Sequence, residues 1–444
     1  MVRASRVPCP AGVKAAPALL SLALTTAVLG VAALGVAALG GACATVPAEA
    51  ARGAARPAFP AYPDAKFIVF SDPHLYDPAA FVASGEQPAD RAQRLSGLAG
   101  PSAEILDSGL EAMSHIAADF VLVAGDLTQD GEEADHLAMA RRLEALRAGG
   151  KKVYVIPGNH DVEDGDARSF LHGARLAVPG VGPEEFAKIY EDFGYGEARS
   201  RAPDSLSYEA EPLPGLVLLA LDDNRWKENL DGRQPIRGGR LSQATLAWLR
   251  SRLGAAAESG MAVIVMQHHE VLEHMKFSAV GVRGTLVDGA SALASLYART
   301  GARLVFSGHF HSQDAAVQRR PDGFVCDVAT GSFIEYPCPF RVVVLEGGRA
   351  SFETRLVESI PSRPSRFQAG ALEATFAFVR AQAELDLAHA GVPSFLARVL
   401  AGNFAEDYLE HYPGAAERAQ DKLWSQERPL DPFALDLSRG LLSD

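Results

Sequence analysis

Phe120-Val121-Leu122-Val123-Ala124-Gly125-Asp126-Leu127-Thr128-Gln129-Asp130-Gly131 decides how this chain is read. The first five residues form an unbroken apolar run, the pattern of a short strand buried on both faces. The run stops at a glycine, and an aspartate follows at once. A carboxylate at the mouth of a buried strand is costly unless positive charge stands beside it.

Four more apolar runs end the same way. The run at 67–71 leads into Asp72-Pro73-His74, and that at 153–157 into Gly158-Asn159-His160-Asp161. The run at 263–267 leads into His268-His269, and that at 303–307 into Gly308-His309-Phe310-His311. In open α/β sheets, ligands gather beyond the carboxyl ends of the strands. Five such ends therefore point to one shared polar site. Carboxylate, imidazole and amide oxygen make a borderline-hard donor set, suited to Mn, Fe, Zn or Co rather than Cu(I) or a calcium cage. The charge Asp126 needs is then a pair of metal ions that it bridges. Side chains two apart at a strand end leave by the same face, so Asp72 and His74 can reach one ion, and the same spacing holds for His309 and His311.

With these five blocks in this order, the chain resembles the calcineurin-like metallophosphoesterases over roughly residues 65–350. The resemblance implies an α/β fold (α+β in some schemes), a four-layer αββα sandwich of two mixed β-sheets flanked by helices. It implies two divalent or trivalent metal ions, one held by Asp72, His74, Asp126 and His311, the other by Asp126, Asn159, His268 and His309. The family thus splits His309 and His311 between the ions. A carboxylate bridge sets such ions roughly 3.5–4 Å apart, the spacing that clamps a phosphoryl group. His160 would act as general acid or stabilise charge on the leaving oxygen. Asp130, Asp161 and His269 would orient histidines and loop amides behind the ligands; a buried donor to backbone is the other reading of His269. Gln129 stands where purple acid phosphatases carry a tyrosine ligand, so a purple Fe(III) site is not expected. The stretch at 125–131 instead looks like the class III cyclic-nucleotide phosphodiesterase branch.

The chain has 444 residues and a net charge of −13, from 42 basic and 55 acidic residues. Such a chain gains little from counterion release on a polyphosphate backbone, so long nucleic acid is not an expected partner. Residues 1–50 read as a signal peptide or a membrane or lipid anchor. Arg3, Arg6 and Lys14 precede an uncharged Ala/Leu/Val/Gly run, and Cys43 is a candidate for lipidation. Each version places the catalytic part outside the cytoplasm, secreted, periplasmic or membrane-anchored. Residues 51–64 are an Ala/Pro-rich tether. Cys326 and Cys338 could pair in an oxidising compartment or stay as buried thiols.

Residues 65–357 form the expected catalytic domain. It starts β-α-β-α-β, with helices over 102–117 and over 132–148, the second presenting Leu137, Leu143 and Leu146. Residues 162–214 read as an insertion near the site, with a helix around 184–193. The strand at 216–221 ends in Asp222-Asp223-Asn224. Helices follow at 241–253 and 291–300, and strands at 324–345 flank a Tyr336-Pro337-Cys338-Pro339 turn. Residues 358–444 read as a helical extension packed on the sandwich, with Leu372, Phe376, Val379, Ala383 and Leu387 on one helix. Phe395, Val399, Leu400 and Tyr408 fall on a second, and a third spans 415–424; a dimer contact or lid is the alternative. His115, His136, His172, His274, His389 and His411 read as structural.

The expected activity is hydrolysis of small phosphodiesters, cyclic nucleotides among them. An extracytoplasmic phosphomonoesterase or nucleotidase is the alternative, and a catalytically silent binding protein the third reading. Arg225, Lys227, Arg233, Arg237 and Arg240 could meet a monoester dianion or lie in a solvated loop. The motifs assign no substrate-binding residue and no oligomeric state.

Overall fold

The computed structural model describes residues 59–81, 98–170, 176–229, 235–274, 284–389, 391–411, 433–437 and 441–443. The targeting segment, most of the tether, His172, Arg233 and the third tail helix expected at 415–424 lie outside the described residues.

The chain begins as strand and helix in alternation: β1 (Ala65–Phe70), α1 (Ser102–Ser114), β2 (Phe120–Val123), α2 (Glu133–Ala148) and β3 (Lys152–Val155). β1, β2 and β3 pair in parallel, as the expected β-α-β-α-β start requires. A small hairpin of β4 (Arg168–Ser169) and β5 (Leu176–Ala177) comes next, then α3 (Pro183–Ile189). β6 (Ser200–Arg201), β7 (Tyr208–Leu213), β8 (Leu216–Leu221), α4 (Gln243–Glu258), β9 (Ala262–Gln267), α5 (Ala290–Thr300) and β10 (Leu304–Ser307) follow. β11 (Asp314–Arg320), β12 (Gly323–Ala329), β13 (Pro339–Glu346) and β14 (Arg349–Leu356) complete the sandwich. The tail holds α6 (Phe367–His389), α7 (Ser394–His411), β15 (Phe433–Asp436) and β16 (Leu441–Ser443).

Two mixed seven-stranded sheets result, ordered β16-β15-β14-β13-β1-β2-β3 and β11-β12-β10-β9-β8-β7-β6. The apolar runs are unbroken because alternate residues feed two different cores. Leu216, Leu218 and Ala220 of β8 face the core between the sheets, with Ile264 and Met266 of β9 and Phe306 of β10. Val217, Leu219 and Leu221 face the other way, onto a second core with Leu249 and Leu253 of α4 and Tyr297 of α5. Phe67 stacks on Phe120 at 4.5 Å within the first sheet and meets Phe306 of the second edge-on at 5.3 Å, locking the layers together. Helix, sheet, sheet and helix are the four layers expected.

Several local expectations change. In α2 Leu137 is exposed, while Met139, Leu143 and Leu146 are buried; a 3.6-residue repeat running through 139, 143 and 146 turns position 137 outward. β7, inside the span read as an insertion, pairs antiparallel with β8 and belongs to the second sheet. The tail is not wholly helical, because β15 pairs with β14 and extends the first sheet. α6 docks Phe367 and Ala371 on the main core. α7 lies against α6 and buries Ala397, Ala401 and Ala405. Phe395, 73% exposed, and Val399, 58% exposed, therefore point away from the sandwich they were expected to cover. Cys326 and Cys338 are both buried thiols. Among the described residues no helix is long and apolar enough to cross a membrane.

Candidate metal centre

The strand ends converge. Asp72 and His74 follow β1, Asp126 follows β2, Asn159 and His160 follow β3, His268 and His269 follow β9, and His309 and His311 follow β10. Their donor atoms gather in two groups, Asp72 with His74 and His311, and Asp126 with His268 and His309, each within 4.8 Å. Asp126 Oδ2 lies 3.6 Å from His74 Nε2 and 3.4 Å from His268 Nε2, so it stands between the groups. His268 Nε2 is also 3.2 Å from Asn159 Oδ1, and His311 Nε2 is 3.2 Å from Asp72 Oδ1. All seven expected ligands thus meet in one place.

Backbone conformation explains how they divide. Among the described residues, seven that are not glycine have positive φ, and five of them are Asp72, His74, Asp126, His309 and His311. Asp and His tolerate this left-handed region better than most residues, and each such residue holds strain that tertiary structure must pay back. The same-face expectation holds for Asp72 and His74, which meet in one group, and fails for His309 and His311, which part. His309 turns toward Asp126 while His311 turns toward Asp72. Two glycines make room for the carboxylates. A Cβ on Gly158 would overlap Asp126, and one on Gly308 would overlap Ser71 and Asp72.

A second layer of hydrogen bonds orients the donors. His268 Nδ1 bonds Ala124 O at 2.8 Å, leaving Nε2 for the site. Asp161 accepts from the amides of Gly158, Leu127 and Thr128 at 2.7–3.0 Å, so it knits two ligand loops together rather than touching His160. Asp130 Oδ1 lies 3.3 Å from His160 Nδ1. His269 has Nδ1 on Asp223 at 3.0 Å and Nε2 on the Arg237 carbonyl at 2.7 Å, the contact of a buried donor to backbone. Three carboxylates were not assigned to the site from the sequence. Asp223 sits at a sixth strand end, beyond β8, and that apolar run was the signal for it. Asp164 Oδ2 lies 3.8 Å from His160 Nδ1. Glu335 Oε1 lies 3.0 Å from His311 Nδ1 and follows no strand. Of the histidines read as structural, His136 bonds the Asp161 carbonyl and Tyr190, and His274 lies between Asp314 and Asp327. His115 and His389 are exposed.

The charges ask for cations. Among the described residues, the ion-pair partners of Asp72 and Asp126 are imidazoles. Burial pushes the Asp126 carboxyl up, but His268 and His160 more than offset this and hold it well below the usual carboxylate range. Conversely, burial pushes His268 down, but Asp126 and Asp72 lift it to about 10. Burial holds His74 down at about 4, so it is a neutral donor, and its Nδ1 is buried without a hydrogen-bond partner. A metal ion that displaces the imidazole protons fits this donor set. Asp72, His74, Asp126 and His311 would hold one ion, and Asp126, Asn159, His268 and His309 the other.

Two donor groups sharing a carboxylate, at the carboxyl ends of strands from both sheets, define a metal-dependent phosphoesterase. The chain belongs to the calcineurin-like phosphoesterase family, whose pattern matches residues 65–313, more than half its length. Solved structures similar to this chain include three phosphatases and nucleotidases. A dimetal phosphatase from Danio rerio is 15% identical, with TM-score 0.43, over 67% of this chain and 97% of that one. A purple acid phosphatase from yellow lupin is 11% identical, with TM-score 0.41, over 67% and 52%. A 5'-nucleotidase precursor from Thermus thermophilus is 14% identical, with TM-score 0.38, over 72% and 59%. No curated protein matches the sequence.

Proposed function

We propose that this phosphoesterase hydrolyses small phosphodiesters, cyclic nucleotides among them, outside the cytoplasm. The observation that carries the diester reading is the state of the nearby cations. Arg225 pairs with Glu228 at 2.5 Å, Arg240 with Asp288 at 2.8 Å, and Lys227 with Asp204 at 3.9 Å. A monoester dianion calls for cations beyond the metals, and these three already face carboxylates. A diester carries one negative charge fewer and fits better.

When bound, the two metals would supply Lewis acidity to a phosphate oxygen and lower the pKa of a water. The chain supplies the rest. Asp130 and Asp164 face His160 Nδ1, which leaves Nε2 to carry the proton for the departing ester oxygen. Burial pushes His160 down, but Asp126, Asp130 and Asp164 raise it to about 9, which favours the protonated ring. The water gives up a proton to solvent and its oxygen joins phosphorus, the P–O ester bond breaks, the alcohol leaves with the His160 proton, and His160 regains a proton from solvent.

The test compares bis-p-nitrophenyl phosphate with p-nitrophenyl phosphate after chelation and reloading with Mn. A strong diester preference is expected. The reverse preference would favour the phosphomonoesterase or nucleotidase reading, and no metal-dependent turnover of either would leave a silent binding protein.

A further inference from the structure

The turn that carries Glu335 is held at both ends. Upstream it is tied to the loop of Asp72: Ser332 Oγ donates to Asp72 O at 2.9 Å, and Phe333 N donates to Ser71 O at 3.0 Å. Glu335 follows, with Oε1 3.0 Å from His311 Nδ1. Downstream the turn is gripped by α6. Tyr336 N donates to Thr375 Oγ1 at 2.9 Å. Gln368 Nε2 donates to Pro337 O at 3.0 Å and to Val357 O at 2.6 Å. The next residue, Cys338, has left-handed backbone with φ 58°. A non-glycine residue in that region persists only where its surroundings hold it.

The buried face of α6 shows what the grip is for. Phe367, Ala371, Thr375 and Val379 recur every four residues along it. Three of the four are apolar, and burial alone accounts for them. Thr375 is the exception, 1% exposed in the middle of that face. A buried hydroxyl is costly unless it is hydrogen-bonded, and Thr375 gives its oxygen to the amide next to Glu335. Gln368 lies seven residues earlier, two helical turns away on the same side, and holds the following carbonyl. α6 begins well beyond residue 313, where the family pattern ends, so the grip belongs to the tail. The carboxylate it steadies stands behind the donor group of Asp72, His74 and His311.

We propose that Thr375 and Gln368 are positioning residues for the metal centre. By holding the turn at 335–337 they keep Glu335 on His311, so the C-terminal extension sets the affinity of the ion that Asp72, His74 and His311 would hold. A His311 ring that is already oriented gives up less freedom when an ion binds. The inference rests on the metal centre described above, and the identity of the substrate plays no part in it.

The test uses the full-length protein and reads the Mn affinity of each of the two sites by competition with a chromogenic chelator. Thr375→Val keeps the shape and removes the acceptor. It is expected to weaken one site by about three- to tenfold, the order of one hydrogen bond, and to leave the other within about twofold. Thr375→Ser keeps the hydroxyl and restores the wild-type affinity. Gln368→Met, on the half-buried edge of α6, moves the same site in the same direction, and it decides the matter if Thr375→Val does not fold. In a Glu335→Ala background Thr375→Val adds less than about twofold, because residues that act through one carboxylate are not additive. Equal weakening at both sites, a Thr375→Ser variant as weak as Thr375→Val, or a full additive effect without Glu335 overturns the proposal. Two metals bound with wild-type affinity in both Thr375→Val and Gln368→Met overturns it alone. A wild type that takes up no metal overturns the metal centre itself, and this inference with it.

Discussion

Glu335 Oε1 lies 3.0 Å from His311 Nδ1, while Nε2 of the same ring lies 3.2 Å from Asp72 Oδ1. The carboxylate fixes which nitrogen carries the proton and turns the other toward the Asp72 group. Such outer partners are worth about 10–100-fold in metal affinity. Glu335→Gln is expected to weaken one of the two metal sites by that order and leave the other within a few-fold. Competition with a chromogenic chelator, titrated site by site, checks this; equal weakening at both sites would count against it.

Asp126 stands between the two donor groups, and its removal should empty both. Asp126→Ala is expected to abolish turnover and metal occupancy together. Elemental analysis of the purified variant decides the matter, since two metals per chain retained would mean that Asp126 is not shared.

The alkaline limb of the activity follows from His160. A general acid must be protonated, and its raised pKa keeps the active form present at neutral pH and removes it as pH rises. A cation on Asp126 takes away part of the upward push, so the limb should fall below about 9. Asp130→Asn and Asp164→Asn should each move the limb to lower pH, because each removes a carboxylate facing Nδ1. His160→Ala is expected to lower kcat by about 10²–10⁴ and to lose the limb. A pH profile of kcat for the four proteins gives the answer.

His274 makes a separate prediction about stability. It is buried with Nδ1 3.1 Å from Asp314 and Nε2 3.6 Å from Asp327. Burial pushes its imidazole down, but these two carboxylates raise it from 6.5 to about 10. A folded pKa above the unfolded one stabilises fully below the unfolded value. That stabilisation is lost as pH rises from about 6.5 through about 10. His274→Ala leaves buried carboxylates uncompensated and should cost about 3–5 kcal/mol near neutral pH, with a smaller deficit above pH 10. Urea melts at pH 7 and pH 10 compare the two; a deficit that grows with pH would contradict the charge argument.

Much of the fold could be read from the strands. The runs before Asp72, Asp126, Asn159, His268 and His309 are apolar without interruption because each is buried on both faces, and that alone implies a sheet covered on each side. The positions of β7 and β15 could not be read so, because Tyr208–Leu213 alternates buried and half-buried residues at a sheet margin, and Phe433–Asp436 is short. The outward face of α7 was misjudged for a related reason. Its apolar and polar residues are spread around the helix, so periodicity did not say which side the alanines would take.

By itself the sequence determined the inventory of donors and the strand end on which each sits, because burial and strand termination are written in neighbouring residues. Only the tertiary structure decided which donors share an ion and which carboxylates stand behind His311 and His160. Those outcomes depend on left-handed backbone at His309 and His311 and on contacts such as Asp72 with His311. Residues more than two hundred positions apart meet only once two sheets have packed, and no local pattern carries that distance.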